Sequence, residues 1–197
     1  MKAVFIDRDG TIGGDGSGIH PSEFTMFEFA PAAIKLLNDT GVKVLLFTNQ
    51  SRVGKGYFTE RELLEGFQRM EAELEQHSAF LDGIYYCPHK PEDQCACRKP
   101  KTGMLERAKA EHQLDLAECY VVGDTGGSDM LAAHRAGARL VLVTTGRGES
   151  SLGEYKHLWP DIEPEHIAAN VLEAAQWIRD DLTKGGKLCT SEIQQKR

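Results

Sequence analysis

The sequence predicts an α/β fold, a Rossmann-like parallel sheet with helices on both faces. Three observations carry that expectation. Short apolar segments alternate with amphipathic ones along the chain. The apolar segments are continuous in hydrophobic residues, as strands buried on both sides of a parallel sheet are. Polar, chemically able residues stand where each of the first four segments would end, and ligands of such sheets bind beyond the carboxyl ends of the strands.

The elements follow in order. Ala3–Ile6 reads as the first strand. Pro31–Asp39 reads as a helix, with Pro31 suited to its first turn and Gly41 just past its end. Val42–Phe47 is a second buried strand. Thr59, followed by Glu60 and Glu62, caps a long helix to Gln76 in which Leu63, Leu64, Phe67, Met70 and Leu74 recur at helical spacing. Gly83–Tyr86 is a third strand, and a loop with Pro88, Pro91 and Pro100 follows. Thr102–His112 is helical. Tyr120–Val122 is a strand ending at Gly123-Asp124. Ser128–Ala136 is a helix stopped by Gly137, Leu140–Val143 a further strand, and Asn170–Leu182 a final amphipathic helix. Residues 1–182 are expected to form one domain and 183–197 a polar, frayed tail.

A chain of 197 residues can bury one substantial core. Its net charge of −7 argues against a nucleic-acid partner, because such binders carry a basic surface. No apolar run is long enough to span a bilayer, so no membrane partner is expected. Met1-Lys2-Ala3 leads straight into a strand, without the stretch a cleaved signal needs. A cytoplasmic location and a monomeric state are therefore expected. In a reducing compartment, clustered cysteines point to a metal rather than to disulfides. Cys87, Cys95 and Cys97 lie close to His89, and three thiolates with one imidazole make the closed Cys₃His set of a structural zinc site. The C-x-H and C-x-C pairs are tighter than usual finger spacing. Cys119 is expected to be a small buried hydrophobe, and Cys189 lies in the tail.

The most informative run is Asp7-Arg8-Asp9-Gly10-Thr11, at the end of the first strand. Residues i and i+2 of a strand share a face, so Asp7 and Asp9 converge on one small volume. Two carboxylates that close need a divalent cation or a shared proton. This pattern points to metal-assisted phosphoryl chemistry.

Asp-x-Asp-Gly-Thr, Thr48 after an apolar strand, Lys99 in Arg-Lys-Pro, and Gly-Asp-x4-Asp occur in this order. Together they resemble the haloacid dehalogenase superfamily of aspartate-nucleophile phosphatases, over about residues 3–145. The resemblance implies that Asp7 attacks phosphorus and forms an aspartyl-phosphate. It implies that Asp9 is the general acid and then base, and that Thr48 and Lys99 hold the phosphoryl oxygens. It implies that Asp124 joins Asp7 and the backbone carbonyl of Asp9 as ligands of Mg²⁺. Asp129 reads either as a second-layer metal residue or as a first-turn helix aspartate. A large cap domain has no room, because the stretch from Thr48 to Tyr86 is mostly one helix.

The cysteine loop narrows the resemblance to a zinc-loop subfamily of phosphatases that act on small metabolites, heptose bisphosphate and histidinol phosphate among them. Asn49, Gln50, Ser51 and Arg98 lie in segments that read like the heptose group, as does Lys55, where that group has arginine. Asp15 matches a substrate-touching position, with Gly16 and Ser17 beside it. Thr125 stands where the heptose group has lysine. The short spacing from His89 to Cys95 is more like the histidinol group. The glycine-rich loop Gly13–His20 reads either as mobile or as a substrate lid. Two other readings are a phosphatase of nucleic-acid ends, which the acidic charge opposes, and a phospho-accepting receiver module. Asp9 speaks against the receiver, because it supplies the base for hydrolysis.

Overall fold

The computed structural model describes residues 1–191, with side chains through Lys184. A six-stranded sheet has the order β3-β2-β1-β4-β5-β6, and every adjacent pair is parallel. Its strands are β1 (Ala3–Ile6), β2 (Lys43–Asn49), β3 (Gly83–Cys87), β4 (Tyr120–Gly123), β5 (Arg139–Val143) and β6 (His166–Ala168). The order runs outward from β1 in both directions, so β1 and β4 flank the switch point where a ligand crevice opens.

Strand side chains alternate between two cores, as the period of two demands. Val4, Ile6, Val44, Leu46, Val122 and Val141 face one core. It is covered by α1 (Ala30–Asn38), α3 (Glu60–Gln76) and α7 (Val171–Ser191). Phe5, Leu45, Phe47, Val121 and Leu142 face the other, covered by α4 (Gly103–His112) and α5 (Leu131–Ala136). Cys119 is fully buried in that second core, as its apolar surroundings predicted.

Helix α3 begins as its sequence predicts. Thr59 Oγ1 accepts from the Glu62 amide at 3.2 Å, and the Thr59 amide donates to Glu62 Oε2 at 2.7 Å. This reciprocal cap satisfies two amides that a helix start otherwise leaves unpaired. Leu63, Phe67, Met70 and Leu74 are buried, whereas Leu64 is exposed. Leu64 directly follows Leu63, and a step of 100° carries it off the buried stripe. Pro31 lies in the first turn of α1, where its missing N–H costs nothing.

Five elements depart from the sequence reading. A short helix, α2 (Ser51–Gly54), follows β2 directly, and α6 (Gly148–Leu152) follows β5; both are too brief to show a helical period. The edge strand β6 has three residues, below the length at which a pattern can register. The helix expected from Ser128 begins instead as a π-turn over Gly126–Met130, which turns into α5. The last helix runs on from Leu182 to Ser191, into the stretch expected as a tail. The rest of that tail, 192–197, lies outside the described residues, as does the side chain of Cys189.

The cap of α3 yields a direct test. Thr59→Ala should lower stability by about 1 kcal/mol, seen as a lower urea midpoint at unchanged slope.

Candidate active site

Asp7 sits just past β1, where its amide still donates to Val122 O at 2.9 Å and so extends the sheet ladder. Asp124 follows β4. Asp129 comes from the π-turn, which brings its carboxylate back to accept from the Thr125 amide at 3.0 Å. Carboxylate oxygens of Asp7, Asp124 and Asp129 all lie within 4.8 Å of one another, and all three residues are buried. The sequence left Asp129 undecided; the structure turns it inward. Gly10 makes the close approach possible. Its φ is +86°, and a Cβ there would lie 2.1 Å from Asp124 Oδ2.

Lys99 is the one ammonium in this cluster. Its Nζ contacts Asp7 Oδ1 at 2.8 Å, Asp129 Oδ1 at 2.7 Å and Phe47 O at 3.0 Å, and only 4% of the residue is exposed. Burial works to lower its pKa, but Asp129 and Asp7 override that and hold it above the ordinary lysine range. One positive charge does not satisfy three carboxylates. Burial, and then repulsion from Asp129, Asp124 and Asp9, push Asp7 up to about 8 against the pull of Lys99. Burial, then Asp129, push Asp124 up to about 6, against hydrogen bonds from the Arg147 amide and Thr125. An all-oxygen, over-anionic donor set of this kind fits a hard divalent cation.

Asp9 lies apart from the three-carboxylate group. Arg8 Nε and Nη2 donate to its two oxygens at 3.0 Å each, and Gln50 Nε2 donates to it at 2.8 Å. The same Gln50 amide reaches Thr48 Oγ1 at 2.9 Å. Gln50, expected to face the substrate, ties Asp9 to Thr48 through this one amide group. Arg8 was missed in the sequence. It is 1% exposed, with its guanidinium 4.5 Å from the Phe24 ring centroid and 5.7 Å from that of Phe67. Positions 7 to 9 lie past β1, so strand alternation does not place Arg8, and only the fold shows it turned onto Asp9.

Asp7, Asp9, Thr48, Gln50, Lys99 and Asp129 line a cavity of about 690 Å³, together with Gly16, Ser17, Asn49, Ser51, Lys55, Arg98 and Thr125. Asn49 is committed elsewhere: its amide exchanges hydrogen bonds with Lys99 O at 3.1 Å and Lys99 N at 3.0 Å. Thr125 Oγ1 donates to Asp124 Oδ1 at 3.0 Å. Asp15 is not among the lining residues; its Oδ1 accepts from the Ser17 amide at 2.8 Å and shapes the glycine loop. Arg98 Nη1 is buried without a hydrogen-bond partner among the described residues. Two further lining cations, Arg52 and Arg147, were not anticipated. Neither lies in a motif, and only folding brings them to the rim.

The cysteine loop lies beside this cavity. Cys87, His89, Cys95 and Cys97 each offer one ligand atom within 4.8 Å of the others. The sulfur pairs are 3.3 to 3.5 Å apart, and His89 Nδ1 is 3.2 Å from Cys97 Sγ and 3.6 Å from Cys87 Sγ. A tetrahedral zinc with bonds of about 2.3 Å sets its sulfurs about 3.8 Å apart, so the four donors fit the ion after small adjustment. Burial pushes the Cys87 thiol up. At Cys95 hydrogen bonds involving Cys97 and the Arg98 backbone outweigh burial and bring the thiol down to about 7. Lys101 Nζ donates to Gln94 O at 2.8 Å and Cys95 O at 2.7 Å, closing the loop that leads into Lys99.

A family model described as HAD-hydrolase-like matches residues 96–174. Fold and site together therefore define the class, a haloacid dehalogenase-like hydrolase. The D-glycero-beta-D-manno-heptose-1,7-bisphosphate 7-phosphatase of Haemophilus ducreyi is 43% identical over 164 residues, 79% of this chain and 90% of that protein. The enzyme of the same name from Neisseria meningitidis serogroup B is 34% identical over 185 residues, 93% of this chain and 97% of that one. Among solved structures, the D,D-heptose 1,7-bisphosphate phosphatase of B. bronchiseptica, complexed with magnesium and phosphate, superposes with a TM-score of 0.84 at 32% identity. That match covers 92% of this chain and 99% of the other. The chain belongs to the heptose-bisphosphate phosphatase family of haloacid dehalogenase-like phosphatases.

Cys95→Ser removes one of four converging donors. Zinc content measured by atomic emission should fall, and the melting temperature should fall with it. A zinc-free protein of unchanged stability would contradict a structural role for the loop.

Proposed function

We propose that this chain is a cytoplasmic, monomeric phosphatase that removes the 7-phosphate of D-glycero-D-manno-heptose 1,7-bisphosphate through an aspartyl-phosphate on Asp7. The observation that carries the reading is the buried Asp7–Lys99 contact of 2.8 Å at the floor of a cation-lined cavity. It sets a carboxylate nucleophile beside the charge that a phosphoryl group needs. No helix among the described residues is long and apolar enough to cross a membrane.

Asp7, Asp124 and the backbone carbonyl of Asp9 would hold Mg²⁺, whose charge offsets the repulsion between an anionic nucleophile and an anionic phosphate. The remaining steps belong to the protein. A carboxylate oxygen of Asp7 attacks phosphorus as the bond to the sugar oxygen breaks, and Asp9 donates a proton to that oxygen. Asp9 then takes a proton from water. The water oxygen attacks phosphorus, and the bond to Asp7 breaks to release inorganic phosphate. Thr48 and Lys99 hold the equatorial oxygens throughout. Zinc on Cys87, His89, Cys95 and Cys97 would be structural, with no ligand position left open for water.

Substrate choice rests on the lining charges. Arg52, Lys55, Arg98 and Arg147 line the cavity, and none makes a salt bridge among the described residues. A bisphosphate would use that charge, whereas histidinol phosphate carries one phosphate and an ammonium that the same cations repel. A receiver module has no use for Asp9 beside the nucleophile. The relatives named above are phosphatases of that same bisphosphate.

Asp7→Asn should lower phosphate release from the bisphosphate by roughly a thousandfold or more, with unchanged circular dichroism. Appreciable remaining turnover would sink the assignment of the nucleophile. Chelation of Mg²⁺ should abolish wild-type turnover, and added Mg²⁺ should restore it. Histidinol phosphate, assayed alongside, should be the poorer substrate.

A further inference from the structure

Arg8 stands between the two aspartates of the first motif and takes no part in the bond changes. A guanidinium stays charged inside a protein, and burying a charge is costly unless it is paired. Arg8 is buried, and Asp9 is its one carboxylate partner among the described residues. Nε donates to Asp9 Oδ2 and Nη2 to Asp9 Oδ1, so one planar fork takes both oxygens of one carboxylate. The guanidinium carbon lies 4.5 Å from the Phe24 ring centroid and 5.7 Å from that of Phe67. Those aromatic faces favour a cation at this place.

The pairing decides what Asp9 can do. Its side chain is not part of the group in which oxygens of Asp7, Asp124 and Asp129 converge. Gln50 Nε2 adds a third donor, on Asp9 Oδ2 at 2.8 Å, and the same nitrogen lies 2.9 Å from Thr48 Oγ1. The carboxylate is thus tied to the threonine expected to hold the phosphoryl oxygens. A carboxylate has about four acceptor sites, so these three donors leave one, on Oδ1. Asp9 also lines the cavity. A fixed carboxylate with one open site suits directed proton transfer, whereas a freely turning one would be aligned only part of the time.

We propose that Arg8 is the positioning residue of the acid–base step: its two-pronged pair with Asp9 holds that carboxylate off the metal cluster and at the cavity wall, with one oxygen site left for the transferred proton. This inference rests on the reading of Asp9 as general acid and base, and adds the group that orients it. The Asp9 Oδ1–H bond breaks as the leaving sugar oxygen gains that proton. The phosphorus–oxygen bond to the sugar breaks as the bond from Asp7 forms, and Arg8 keeps all its protons throughout. Lysine in its place would keep the charge and lose the fork.

The test compares kcat/KM on D-glycero-D-manno-heptose 1,7-bisphosphate with kcat/KM on p-nitrophenyl phosphate, in wild type, Arg8→Gln, Arg8→Lys and Asp9→Asn. This constant covers every step through breakage of the ester bond. The sugar oxygen needs a proton as it leaves, whereas p-nitrophenolate leaves as a stable anion. Arg8→Gln should lose about tenfold or more on the sugar and less than about threefold on the aryl ester. Arg8→Lys should recover part of that loss, and Asp9→Asn should show the same selective loss more strongly. Turnover of the aryl ester also reports that a variant has folded. Should Arg8→Gln not fold, the smaller selective loss in Arg8→Lys decides. Equal losses on both substrates, or none on the sugar, overturn the positioning role and leave Asp9 its own. If Asp9→Asn kept wild-type kcat/KM on the sugar, the acid–base reading itself would fall, and the role of Arg8 with it.

Discussion

The site depends on a buried ammonium that is too little charge for its surroundings. Lys99 touches Asp7, Asp129 and the Phe47 carbonyl at 2.7 to 3.0 Å, while Asp124 completes a group of three buried carboxylates. Removing several charges from water is costly unless they are paired. The imbalance is what a cation and a substrate phosphate relieve between them. A fully neutralised cluster would be a more stable core and a poorer binding site. The structure keeps the deficit of positive charge at the one place where chemistry needs a metal.

That arrangement requires Lys99 to arrive from a loop rather than from the sheet. The cysteine cluster closes the loop immediately before it, and Asn49, at the end of β2, fastens the Lys99 backbone with two hydrogen bonds. Gly54 of α2 packs on the same loop: its amide donates to Pro88 O at 2.9 Å, and a Cβ there would lie 2.8 Å from that oxygen. The loop is therefore held by its own ligand set on one side and by the sheet and α2 on the other. A long, flexible side chain becomes a fixed charge because the backbone beneath it cannot move far.

Charge is distributed to match. The chain is acidic overall, yet the cavity wall carries Arg52, Lys55, Arg98 and Arg147. A basic concavity on an acidic body concentrates small anions at the site and repels extended polyanions elsewhere on the surface.

Five of the six strands, their parallel arrangement and the order in which acidic and basic residues reach the carboxyl edge were legible before folding. Apolar runs and the alternation of a strand are local properties, so Asp7, Thr48, Asp124 and the cluster of Cys87, His89, Cys95 and Cys97 could be read from spacing and motif order. The Thr59 cap was legible for the same reason. What folding alone decided is every relation between residues far apart in the chain. Asp129 turned inward because a π-turn, invisible to a period of 3.6, redirected its side chain. Asn49 was taken up by the Lys99 backbone, and Asp15 by its own loop. Arg8 acquired two aromatic faces, and Arg52 and Arg147 reached the wall of one cavity. Charge pairing acts through space at a few ångströms, and a linear pattern holds no record of which distant groups the packing will bring that close.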